Sequence, residues 1–188
     1  ENINLKKIIS ADETLRYRNK AQYPVKKENG KIRAGFFAAR THDIIPCEDC
    51  LLQPELFSLI VDEVCKFFEE KNISVYDEKT NKGFLRHIYL RIAEMTGEIM
   101  LTLVATDSNM KSKNEFVEKI TTKFPQIKSI ILNVNREKTN VILGNECINI
   151  FGDGYITDIL CDTKIKLSAL SFYQVNRIQA EKLYNKAK

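Results

Sequence analysis

Glycine and proline are scarce, seven and four among 188 residues, which leaves little room for long linkers. No apolar run approaches the ~20 residues that a membrane-spanning helix needs. The opening residues ENINLKKIIS contain neither a sustained apolar core nor a small-residue cleavage site, so they do not read as a signal peptide. There is no internal repeat and no low-complexity stretch. Neither sign of charge dominates: 29 basic against 25 acidic residues give a net +4, which permits a polyanionic partner without pointing to one. The phosphate-cradling glycine loops G-x-G-x-x-G and the P-loop are missing, as are the G-x-S-x-G elbow and H-E-x-x-H. Read on its own chemistry, the chain holds no complete catalytic constellation.

Five cysteines, an odd and scattered set, do not make a secreted disulfide framework. They fit a cytoplasmic protein with reduced thiols. What is present, 44% hydrophobic and 29% charged residues, is the profile of an ordinary globular chain, long enough for one domain or for one domain and part of another. The first residue is Glu rather than Met, so the expectation is a piece of something longer. No membrane and no obligate protein partner are evident.

Two candidate strands, 17–25 (YRNKAQYPV) and 31–40 (KIRAGFFAAR), flank Asn29 and Gly30, a hairpin signal. Residues 54–71 read as a helix with Pro54 at its first position and an apolar face of Leu56, Leu59, Ile60, Val64, Phe67 and Phe68. Residues 84–92 alternate: Phe84, Arg86, Ile88, Leu90 and Ile92 point one way, and Leu85, His87, Tyr89 and Arg91 the other. After a turn at Gly97 comes a strand over 98–105, with Ile99, Leu101 and Leu103 on one face. A helix near 113–123 has capping-box spacing at Ser112 and Glu115 and carries Phe116, Ile120 and Phe124 four apart. Residues 127–134 are a strongly β-branched strand; 140–151, 155–160 and 163–168 are shorter ones. A last helix, 177–187, has Asn176 and Gln179 suited to its cap and an apolar face of Ala180, Leu183, Tyr184 and Ala187. This order predicts an α+β fold with a mainly antiparallel or mixed sheet and helices on one face.

Three segments could carry chemistry. The pair Cys47 and Cys50, with His42 upstream, has metal-ligand spacing, but a closed zinc site needs four ligands and no fourth is evident. In Tyr17-Arg18-Asn19-Lys20 the Arg and Lys can neutralise phosphates and the Asn can hydrogen-bond a base. Arg33, Arg40, Arg86 and Arg91 lie on strands too, and an ordinary solvated strand face explains them as well. His87 reads as one polar residue on an alternating strand. In Ser171-Phe172-Tyr173-Gln174-Val175-Asn176, two aromatics and two amides precede a helix. They could stack on a base and hydrogen-bond a polar ligand, or simply pack and cap.

Taken together, these segments resemble the RNA uracil-5-methyltransferases that use S-adenosylmethionine. YRNKAQYPV is similar to that family's YRNK-x-Q strand, and HDIIPCEDCLLQ to its H-x-I/V…C-x-L/I-Q segment. GFLRHIYLR resembles G-x-L-R-x-(I/L)-x-(I/L)-R, and SIILNVN resembles S-(I/V)-x-x-N-x-N. The most specific match is LSALSFYQVNRIQAEKLYNKA, similar to (I/F)-S-x-x-S-F-(F/Y)-Q-V-N-x-x-Q-x-x-x-LY-x-x-A. The matches fall in family order over residues 17–187.

The resemblance implies a layout. Residues 1–168 would be the family's central α+β domain, and 169–188 the start of a truncated Rossmann-like methyltransferase domain. The glycine-rich cofactor motif, nucleophilic Cys and general-base Glu would lie beyond Lys188, so no catalytic residue is assigned. In the implied mechanism a thiolate adds to C6 of uracil, C5 takes the methyl group, and a base then removes the C5 proton as the thiolate leaves C6. Gln174 matches a cofactor-contacting glutamine. Phe172 matches an aromatic near the target base, and Arg18 and Lys20 are candidate RNA contacts. Cys50 matches the last of four cysteines that hold a [4Fe–4S] cluster in the branch acting on large-subunit ribosomal RNA. The other three would precede Glu1, so the cluster is expected in the full-length protein and not in this fragment. The expected partner is RNA, with 23S rRNA favoured by Cys50. The rival readings are a stand-alone RNA-binding module, or a small zinc-binding one built on His42, Cys47 and Cys50.

Overall fold

Asn29 and Gly30 both adopt positive φ, 51° and 81°, the conformation a two-residue hairpin turn of matching twist demands. They join β1 (Lys20–Glu28) to β2 (Lys31–Phe37), with Glu28 opposite Lys31. The computed structural model describes residues 7–138 and 141–188. The first strand keeps its expected length but lies three residues later, and the second ends at Phe37, three residues early. Residues 17–19 lie ahead of β1, so of Tyr17-Arg18-Asn19-Lys20 only Lys20 is in the ladder.

A short β3 (Ile44–Pro46) pairs with β2, and α1 (Glu55–Glu70) follows. Pro54 sits one position earlier than expected: its ψ of 137° is extended, which makes it the residue before the first helical turn. The buried stripe of α1 also differs from the expected one. Phe57, Ile60, Val61, Val64, Phe67 and Phe68 are buried, whereas Leu59 points to solvent. Phe57 and Val61 complete an i, i+3, i+4, i+7 stripe that leaves no inward room for Leu59.

The central strands are β4 (Leu85–Ile92), β5 (Ile99–Ala105) and β6 (Ile127–Val134). A bulge between Leu85 and His87 breaks the expected alternation of β4. It adds one residue, Arg86, so that Leu85 joins Ile88 and Leu90 in the main core instead of facing away from them. β5 and β6 run parallel, linked by α2 (Lys113–Lys123). The expected capping box at α2 does not form. Ser112 is left-handed at φ 55° and caps nothing with its side chain, while Glu115 pairs with Lys71 of the α1 terminus.

β7 (Glu146–Gly152) closes the sheet. It is shorter than the expected 140–151 strand, whose first residue lies outside the described residues. Asn135 Nδ2 donates to the Val141 and Ile142 carbonyls at 2.7 and 3.0 Å, so those groups are satisfied without a ladder. The sheet has seven strands in the order β3-β2-β1-β4-β5-β6-β7, antiparallel except at β5–β6. A separate hairpin pairs β8 (Ile156–Leu160) with β9 (Thr163–Leu167), and α3 (Arg177–Ala187) ends the chain.

One sheet face carries the main core with α1 and α2. Against the other, Met100 and Ile131 pack with Ile156, Leu167, Ala169 and Tyr173 of the hairpin and the segment after it. The mixed α+β sheet therefore stands as expected, but α3 does not share the face of α1 and α2. It buries only Arg177 and Ala180, and the apolar residues Leu183 and Tyr184 stay exposed.

Candidate functional site

The segment 168–176 is held by two residues far away in sequence. Ahead of β1, Asn19 is 1% exposed and holds the segment at two points: its backbone N–H donates to Val175 O and its Nδ2 to Gln174 O, both at 2.9 Å. On β4, Arg91 is 2% exposed; Nη1 donates to Ser168 O at 3.1 Å and Nη2 to Ser171 O at 2.7 Å. Tyr89, two residues earlier on the same face, gives Arg91 a further acceptor at 2.6 Å. Asn19 and Arg91 are therefore positioning residues, and the phosphate-binding reading of Arg91 does not survive its burial. Arg86 is buried as well, with Nη1 donating to Asn135 O and Glu137 O at 2.9 and 2.8 Å.

The result is that the backbone of the segment is fixed while two side chains stand free. Phe172 is 85% exposed, a large apolar ring left in water. Gln174 is exposed beside a hollow of about 360 Å³ shared with Val175, Asn176, Gln179 and Leu183. Tyr173 between them points inward, where its hydroxyl donates to Asp158 Oδ2 at 2.9 Å. Burial, and then that bond, push the Tyr173 phenol well above its usual value. Asp158 is fully buried and also accepts the Met95 and Ile159 backbone N–H groups at 2.9 Å. Asn176 caps α3 as expected, accepting from Gln179 N at 3.0 Å. Arg177 braces the start of the helix through Glu94 at 3.2 Å and Glu181 at 2.7 Å. Burial raises the Glu94 carboxyl, opposed by Arg177.

Lys20 lies opposite Arg91 in the β1–β4 ladder and is half-buried. Its ammonium is lowered by burial and then by the charges of Arg91 and Arg18. Arg18 is half-buried, and its backbone N–H donates to Leu52 O at 2.9 Å. With Arg91 buried and committed to backbone carbonyls, Lys20 and Arg18 are the two cations of this cluster left to meet an anion. Arg33 and Arg40 are exposed.

Cys47 and Cys50 sit on a loop clasped by Arg16, a residue with no distinguishing pattern around it. Its guanidinium reaches Asp49 at 2.6 and 2.7 Å, and the Cys50 and Gln53 carbonyls at 2.9 Å. Gln53 in turn accepts from the Tyr23 hydroxyl. Both thiols are half-buried; that of Cys47 is raised by burial, and then by Cys50 and Asp49. His42 pairs with Glu78 at 2.5 Å. Among the described residues no three His, Cys, Asp or Glu side chains converge on a common point. The zinc reading therefore lacks its ligand set, and a four-iron cluster at Cys50 would need thiolates from elsewhere.

Asn133 and Asn135 of SIILNVN are occupied structurally, whereas the buried Ser129 hydroxyl has no hydrogen-bond partner among the described residues. Asn133 Nδ2 donates to Gly144 O at 2.8 Å and its Oδ1 accepts from Gly144 N at 2.8 Å. Of the polar side chains shared with the resemblance, most hold backbone; Gln174 is one that does not.

No family model matches the chain. A protein of Clostridium tetani named an uncharacterized RNA methyltransferase is 43% identical over 185 residues, covering 98% of this chain and 40% of that protein. A Bacillus cereus protein of the same name is 45% identical over 170 residues, covering 90% and 37%. The chain thus spans about two fifths of the length of the curated relatives it matches. Among solved structures, the Pyrococcus abyssi tRNA (uracil-54, C5)-methyltransferase in complex with S-adenosyl-L-homocysteine superposes with a TM-score of 0.79. It is 26% identical and is matched over 96% of this chain and 42% of that one. Across nearly its whole length, the chain is thus similar to part of proteins named RNA methyltransferases and to part of a tRNA uracil-C5 methyltransferase.

Proposed function

We propose that this chain is the central domain, residues 1–168, and the beginning of the catalytic domain, residues 169–188, of an enzyme that methylates C5 of uridine in 23S rRNA. The observation that carries the reading is the fixed backbone of 168–176 with Phe172 and Gln174 left exposed on it. On that held backbone a large ring and a primary amide beside a hollow are left available to a ligand.

In this reading S-adenosylmethionine supplies an electrophilic methyl group when bound. Gln174 fits that cofactor: its amide offers a donor and an acceptor, and no described residue occupies it. Phe172 offers a face on which an unstacked base can lie. Arg18 and Lys20 provide positive charge for the RNA backbone. The nucleophile and base are supplied by parts of the enzyme outside this chain, and the chain alone is inactive. Cys50 contributes one ligand to a [4Fe–4S] cluster whose other thiolates come from the same protein; no step depends on it. The enzyme works in the cytoplasm.

Calorimetry on a protein of the relatives' length tests the cofactor assignment. Gln174→Ala should weaken S-adenosylmethionine by about 1–3 kcal/mol, the cost of a polar contact left unmet. An unchanged affinity contradicts the role given to Gln174.

A further inference from the structure

The hairpin and the segment after it cover β5 and β6 on the sheet face opposite α1 and α2. Over β1, β2 and the start of β4 a cavity of about 690 Å³ remains, whose lining shares no residue with the hollow beside Gln174. His87 lines it at 6% exposed, and neither of its ring nitrogens has a hydrogen-bond partner. Buried polar atoms are ordinarily satisfied, so a pair of orphaned nitrogens at a cavity wall points to a missing partner.

The chemistry of the wall narrows that partner. Burial, reinforced by Arg86, lowers His87 to about 4, so the imidazole is neutral. A neutral imidazole offers one N–H and one lone pair, which suits the edge of an uncharged heterocycle better than a phosphate. Phe37, 39% exposed, lies edge-on to His87 at 6.2 Å and tilted against His42 at 5.6 Å. One face of Tyr76 is already taken by the Arg86 guanidinium at 4.7 Å, which leaves Phe37 as the free aromatic. At the rim, Lys27 and Lys79 are exposed and form no ion pair among the described residues. The nearby carboxylates Asp77 and Glu78 are engaged, the first by Lys79 N and Thr80, the second by His42; Asp43 is the remaining acid on the wall.

We propose that this cavity binds one unpaired nucleotide of single-stranded RNA. Its base stacks on Phe37 and bonds to His87, and its phosphates lie against Lys27 and Lys79. The ring of Phe37 turns aside to admit the base, since the His87 nitrogens are closed to water while that ring lies against them. The proposal rests on the RNA-directed reading above and adds a second contact on another part of the sheet.

Fluorescence anisotropy of the full chain with a labelled single-stranded RNA of about ten nucleotides tests it. Phe37→Ala and His87→Leu should each weaken binding roughly tenfold, the effect of removing one base-stacking or base-bonding contact. Phe37→Ala alters an exposed ring and should keep the wild-type thermal midpoint. A 4-thiouridine-bearing RNA should photocrosslink to the peptides containing Phe37 or Tyr76. Wild-type affinity in Phe37→Ala, crosslinks confined to other peptides, or no RNA binding by the wild type would each overturn the site. Methyl transfer by a protein of the relatives' length separates the two readings. If transfer persists while the variants bind RNA normally, only the cavity falls. If no RNA is methylated, the enzymatic reading falls.

Discussion

Asn19 holds the 172–176 segment twice, and only one of the two bonds depends on its side chain. Asn19→Ala should therefore lower stability by about 1 kcal/mol, because the half-buried Gln174 carbonyl loses its donor. Amide exchange should quicken locally over 172–176; a uniform change across the molecule would contradict the assignment. His87 makes a pH prediction. Its folded value of about 4 lies below the ordinary 6.5, so above pH 6.5 both folded and unfolded chains hold it neutral and stability is full. As pH falls from 6.5 towards 4 the unfolded chain takes up a proton that the folded one refuses, and about 3 kcal/mol is lost. Urea titrations across that range should show the loss in the wild type and a flatter profile in His87→Leu.

At the scale of elements, two positive-φ glycines separate backbone freedom from close packing. Gly97 has φ 72° with open space where a Cβ would go, whereas a Cβ on Gly152, φ 74°, would run into the Lys128 carbonyl. Gly97→Ala should cost about 1–2 kcal/mol. Gly152→Ala should cost clearly more, because the β6–β7 pairing must also part; equal thermal midpoints would refute this. Much at this scale was legible in the sequence. The 29–30 hairpin, the β6 bounds and the Asn176 cap follow from local chemistry that tertiary packing leaves intact. The β4 bulge at Arg86 was not legible, since an inserted residue looks the same as an alternating one until its partner strand is present. The box at α2 was not legible either: Ser112 is left-handed at φ 55° and caps nothing, and the Glu115 carboxylate pairs with Lys71, 44 residues away in sequence. The candidate site divided in the same way. Phe172 and Gln174 stood out by resemblance, but the roles of Asn19 and Arg91 depend on contacts 155 and 77–80 residues away, which no local pattern encodes.

For the whole molecule, one sheet positions two kinds of surface. Asn19 just ahead of β1 and Arg91 of β4, in the middle of the sheet, hold the 168–176 segment, and the face over β1 and β2 leaves room beside His87. The chain matches its relatives over about two fifths of their length, so the proposed reaction is tested on a protein of that length. The most direct measurement is nucleoside mass spectrometry of ribosomal and transfer RNA after incubation with S-adenosylmethionine and a protein of the relatives' length that contains this chain. The account predicts 5-methyluridine in 23S rRNA, with the yield falling in Gln174→Ala. A methyl group at any other position of the nucleotide, or in no RNA at all, would contradict it.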